Sequence, residues 1–165
     1  MNQLKQKKNK IKVMENRNDD LIDEIKHLLH IANDGKEGYK TAAEDADSAE
    51  LKAIFTTYSI QRSEFEMELK SCLQQLGSNS DNESGGPLGA IHRIWMDVKA
   101  AITTNDNHAI LNACITGEKA AIEAYDKALG NTNLTPEMRE ILISQRTEIN
   151  ESLRNVQNLE QQYAS

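Results

Sequence analysis

QRSEF at 61–65 and QRTEI at 145–149 are nearly one phrase, and each is followed four residues later by a leucine, Leu69 and Leu153. Upstream of each lies a second echo, EGYKTA at 37–42 and EAYDKA at 123–128, so the pattern recurs at an offset of 84–86 residues. A phrase written twice in a 165-residue chain marks two equivalent supersecondary units. The surrounding periodicity says what those units are.

From Asn18 to about Ala46, apolar residues recur at Leu21, Ile22, Ile25, Leu28, Leu29, Ala32, Tyr39, Ala42, Ala43 and Ala46. This three-four spacing predicts one face of a long helix, with Gly35 on that face where a neighbour approaches closely. A second helix is capped by Ser48 and carries Leu51, Ile54, Phe55, Tyr58, Phe65, Leu69, Cys72 and Leu76 before stopping at Gly77. SNSDNESGG at 78–86 reads as loop, and a third helix opens at Pro87 with Leu88, Ile91, Trp95, Val98 and Ile102. The fourth stripe, Leu111, Cys114, Ile115, Ala121, Ile122, Tyr125, Ala128 and Leu129, closes at Gly130. Thr135 and Pro136 then start a fifth helix bearing Met138, Ile141, Leu142, Ile149, Leu153, Val156, Leu159 and Tyr163. Helices one and two form one hairpin, with its turn near 46–48. Helices four and five form its counterpart, with a turn around 130–135. The expectation is an all-α, ferritin-like four-helix bundle: two antiparallel hairpins with an extra helix in the long crossover. On this reading residues 18–165 are the domain.

Composition agrees. Ala, Leu, Glu, Lys and Gln dominate, prolines number two, and aromatic residues make up 4%. No apolar run approaches the roughly 20 residues that span a bilayer, so no membrane contact is expected and the default location is cytoplasmic. Cys72 and Cys114 then read as reduced, space-filling thiols. Residues 1–17 hold a net charge of +5, leaving −12 for the rest out of a total of −7. Composition predicts that this basic leader is disordered, with Met14 a candidate natural start. An acidic body excludes nucleic acid as the main partner, leaving only weak contact through the leader. The partner expected is another copy of the chain.

Three blocks carry a resemblance: NDGKEGYKTAAE at 33–44, GPLGAIHRIWMDVKAAIT at 86–103 and GEKAAIEAYDKAL at 117–129. They resemble a bacterial family of four-helix-bundle proteins in the ferritin-like superfamily, catalogued as a domain of unknown function. HRIWMD is the most specific part, and the likeness covers about residues 18–160. It implies the fold and, by superfamily analogy, a stress- or metal-related setting. It brings no established activity.

A two-iron centre in such a bundle needs a Glu from each of two helices and Glu-x-x-His from each of the other two, all inward. With Tyr39 and Tyr125 on the seam, the positions one heptad earlier are Ala32 and Glu118. The partner helices offer Tyr58, Gln61, Arg62, Leu142, Gln145 and Arg146 at this level, and no histidine. The Glu-x-x-His at Glu24–His27 places His27 opposite the apolar stripe and His30 on its polar flank, both toward solvent. Glu37 and Glu123 precede inward tyrosines by two positions and face out. Glu64 and Glu148 fall off the seam, with Glu64 able to flank it. No metal or other cofactor is therefore expected, and iron is the alternative.

Glu118 interrupts an apolar stripe, and a buried carboxylate requires partners. Counting through the second hairpin puts Arg146 nearest, with Arg62 reaching the same level by pseudo-symmetry and Gln61 and Gln145 adding amides. His92, beside Ile91 and one turn before Trp95, sits at a contact edge within reach of that centre. This cluster reads either as an ion-pair layer fixing helix register or as a small polar pocket for an anion or small ligand. No Ser/His/Asp or Cys/His arrangement emerges, and SGGPLG follows no strand. The reading is a non-enzymatic binding or structural protein. Its rivals are a metal-dependent, diiron-type oxidase or iron-handling stress protein, and a helical adaptor displaying Trp95.

Overall fold

The computed structural model describes residues 2–78 and 88–164, with the side chains of 14–17 and 88–90 outside the description. Five helices follow in order: α1 (Asn2–Asp45), α2 (Ala49–Gln75), α3 (Leu88–Ile102), α4 (Asn107–Leu129) and α5 (Pro136–Ala164). No strand occurs among the described residues. None of these helices is long and apolar enough to cross a membrane. The predicted opening of the third helix at Pro87, and the loop beyond Ser78, lie outside the described residues.

Local chemistry sets the ends. The Ser48 hydroxyl accepts from the Leu51 amide, 3.1 Å away, to start α2. Gly77 adopts φ +75°, the left-handed conformation that lets the Ser78 amide return to the Leu73 carbonyl. Asp106 caps α4 through the Ala109 amide, and Thr135 caps α5 through the Met138 amide.

The helix pairs are α1 with α2, α4 with α5, α1 with α4 and α2 with α5, a helical bundle, and α3 lies against α1 and α4. The apolar stripes condense into two clusters. One gathers Leu21, Ile25, Leu28, Phe65, Leu69, Leu73, Tyr125 and Leu142. The other gathers Tyr39, Leu51, Phe55, Trp95, Val98, Leu111, Cys114 and Val156. Between them lies a thin layer of buried polar side chains.

Two expectations change here. Residues 2–17, expected as a disordered leader, continue α1, which is 44 residues long. The segment lacks Gly and Pro and is rich in helix formers, so a helix nucleated by the packed part propagates outward without a second nucleation step. Every described side chain from Asn2 to Asp20 is exposed, and burial begins at Leu21. Trp95, a candidate for an exposed adaptor face, is instead 2% exposed. Its ring fills a notch that only glycine permits. A Cβ on Gly38 would lie 2.4 Å from Trp95 Cε3, and one on Gly117 would lie 2.8 Å from Cζ2. Two glycines, one on α1 and one on α4, thus admit the crossover helix's indole between them.

Candidate functional site: a buried polar layer

Glu118 on α4 is fully buried, and so, to within 1%, is Arg62 on α2. The guanidinium meets the carboxylate end-on: Nη1 donates to Oε1 at 2.8 Å and Nη2 to Oε2 at 2.6 Å. This bidentate fork is the strongest pairing the two groups can make. Burial alone opposes the Arg62 charge, but the Glu118 carboxylate outweighs it and holds the guanidinium above its ordinary range. The rings of Tyr39 and Phe65 add further support, with centroids 5.6 Å and 5.7 Å from Arg62 Cζ.

Around this pair the layer is finely divided. Arg62 Nε donates to Gln61 Oε1 at 3.3 Å, and Ser152 Oγ donates to the same oxygen at 3.3 Å. The Tyr125 hydroxyl donates to Gln145 Oε1 at 2.6 Å, while Gln145 Nε2 reaches Glu68 Oε1 at 3.3 Å. Asn155 Nδ2 donates to the Tyr58 hydroxyl at 3.1 Å. A ladder of polar contacts thus closes the α2–α5 face. Among the described residues of this layer, the Tyr39 hydroxyl and Trp95 Nε1 are buried donors without a hydrogen-bond partner.

The six residues read from sequence therefore divide. Glu118, Arg62, Gln61 and Gln145 come together. Arg146 does not: it lies at the surface and pairs with Asp126 one helix away. His92 does not either. It is largely exposed, with Nδ1 3.3 Å from Asp34 Oδ1, because Ile91 and Trp95 turn the opposite side of α3 inward. Ser152, three residues beyond Ile149 on the inner stripe, was missed, although its spacing from Gln145 places it on that face.

His27 also departs from expectation. It is half-buried in a groove with Asp23, Glu24, Ala124 and Lys127, and its Nδ1 is buried without a partner. Burial, then Lys127 and His30, lower its pKa below the usual imidazole range. The Glu24 carboxylate nearby accepts from Asn131 Nδ2 at 3.1 Å.

A model of the domain of unknown function DUF2383 matches residues 20–131. The chain belongs to this family. A comparison with curated proteins finds no match. The matched span runs from the buried start of α1 through α4, so it contains both members of the Arg62–Glu118 pair. It also contains the ladder's α2 and α4 members, Tyr58, Gln61, Glu68 and Tyr125, whereas their α5 partners Gln145, Ser152 and Asn155 lie beyond it.

The residues of this DUF2383 protein do not fit a two-iron centre. Among the described residues, no group of three or more His, Cys, Asp or Glu side chains is arranged to hold a metal ion. At the bundle's middle the Glu118 carboxylate is already saturated by a cation belonging to the chain itself. Neighbouring thiol and phenol groups are held in their protonated forms. Burial, followed by Glu118, pushes the Cys114 thiol and the Tyr39 hydroxyl well up. Burial likewise raises Tyr125.

Proposed function

We propose that this chain is a ferritin-like four-helix bundle working as a non-enzymatic structural or binding protein in the cytoplasm, with an internal ion pair where relatives of that architecture hold metal. The carrying observation is the bidentate Arg62–Glu118 pair, buried on all sides between the two apolar clusters. A guanidinium in that position repels divalent cations and fixes the relative height of α2 and α4, since a slip of either helix strands a buried charge. The direction of the thiol and phenol shifts supports the same reading. Groups held far from neutrality are poor general acids, bases or nucleophiles at physiological pH.

Ferrous iron offered in air to chelator-free protein tests this. The expected result is well under one iron bound per chain and an oxidation rate equal to buffer. Two tightly bound irons per chain, or catalysed oxidation, would instead establish the metal-dependent oxidase or iron-handling reading.

A further inference from the structure

We propose that the outer segment of α1, residues 2–13, docks on the acidic edge shared by α2 and α5 in a second copy of this chain.

The segment has the form of half an interface. Its lysines at 5, 7, 8, 10 and 12 are all exposed. Lys5–Lys8, Lys7–Lys10 and Lys8–Lys12 are like-charged neighbours at helical spacing, which destabilises a helix lacking a counter-surface. Lys5, Lys8 and Lys12 share one face, and beside it stand Leu4 and Ile11, seven residues apart and exposed by 66% and 48%.

The complementary half is on α2. Ile60 and Met67, also seven residues apart, are exposed by 57% and 71%. They run alongside Glu64 and Glu68, both exposed, and α5 adds Glu148 and Glu151 across the seam. The edge is short of positive charge. Burial, then Glu68, Glu64 and Glu151, raise the pKa of Glu148, with buried Arg62 only partly offsetting them. An apolar pair flanking a lysine row thus faces an apolar pair flanking a carboxylate row at the same period. On the other flank of Ile60 the groove carries Lys40, Glu44 and Lys52, a mixed set, so the row of glutamates is the more acidic flank for a basic helix.

The chain's own segment cannot reach this edge. Lys36 on α1 pairs with Glu66 at 2.9 Å, so Glu64 and Glu68 stand level with the middle of α1. At about 1.5 Å per residue, residues 2–13 begin on the order of 20 Å further along the same continuous helix. A second copy is required, and reciprocal docking closes the contact with two-fold symmetry. Leu4 and Ile11 are too small an apolar surface for membrane insertion, and the acidic body repels nucleic acid.

Sedimentation of the full-length chain tests the proposal. At about 0.05 M salt the mass should exceed that of one chain, and about 0.5 M salt should weaken association at least tenfold. Lys5→Glu/Lys8→Glu/Lys12→Glu should be monomeric at low salt, as should Glu64→Lys/Glu68→Lys. Mixing these two variants should restore a heterodimer through swapped charges. Met67→Ser, a neutral change at an exposed site, provides an arm independent of the carboxylates and should also weaken association. A wild-type chain that is monomeric at low salt, association unchanged in the lysine variant, or a mixture that stays monomeric overturns the proposal. So does a monomer whose residues 2–13 instead bind phosphatidylserine vesicles.

Discussion

Arg62 and Arg146 occupy equivalent positions in the repeated phrase yet point in opposite directions. The Arg62 side chain is 1% exposed against Glu118, whereas that of Arg146 is 37% exposed against Asp126. The reason lies one heptad before the repeated tyrosines, where one hairpin has Glu118 and the other Ala32. A single buried carboxylate neutralises a single guanidinium, and a second buried arginine would be uncompensated. The pseudo-symmetry of the backbone is thus broken by one side chain.

Removing that side chain should be costly. Glu118→Ala should destabilise the fold by about 3–5 kcal/mol, because it leaves Arg62 buried and charged. Glu37→Ala and Glu123→Ala should remain within about 0.5 kcal/mol of wild type. Glu118→Leu combined with Arg62→Met should recover much of the loss. Urea denaturation of the four variants checks this, and equal stability for Glu118→Ala and Glu37→Ala would refute the buried-pair account.

The Trp95 notch makes a separate prediction. Gly38→Ala should cost about 1–3 kcal/mol by forcing the indole outward. Trp95 is the only tryptophan, so the displacement should appear as a red shift in fluorescence. Adding the smaller Trp95→Leu change should reduce the stability penalty of Gly38→Ala. Unaltered emission and stability in Gly38→Ala would show that the packing is not tight.

The two repeated tyrosines should respond unequally to loss of their hydroxyls. Tyr125→Phe removes a donor to Gln145 and should cost about 1 kcal/mol. Tyr39→Phe removes a buried hydroxyl without a partner and should be neutral or stabilising. Thermal melts distinguish them, and identical losses at both positions would contradict the asymmetry.

His27 should make the fold acid-sensitive. Its pKa is lowered in the folded state, so below the ordinary imidazole pKa of about 6.5 the unfolded chain binds more protons. Stability should therefore fall as pH drops below that value and level off once the folded imidazole also protonates. Denaturation at neutral pH and at about pH 5 should show a drop that shrinks in His27→Gln. A slope unaffected by this substitution would place the acid sensitivity elsewhere.

The sequence by itself determined five helices, their stripes and two equivalent hairpins, because helical periodicity and caps are local properties. Leu21 through Ala43 and Met138 through Leu159 bury most of the residues their spacing selects, with Ile22 and Ile141 only partly buried. Spacing also showed that Glu118 points inward and must be met. Which arginine meets it was decided only by the tertiary structure. Arg62 and Arg146 have the same local context, and the choice rests on which helix brings a guanidinium within 3 Å of one carboxylate. His92 was likewise settled by the roll of α3, which the bulk of Trp95 fixes against Gly38 and Gly117. The leader's helix depended on nucleation by the packed part of α1, an influence that composition over residues 1–17 does not contain. Periodicity is written residue by residue; the pairing of buried charges belongs to the assembled bundle.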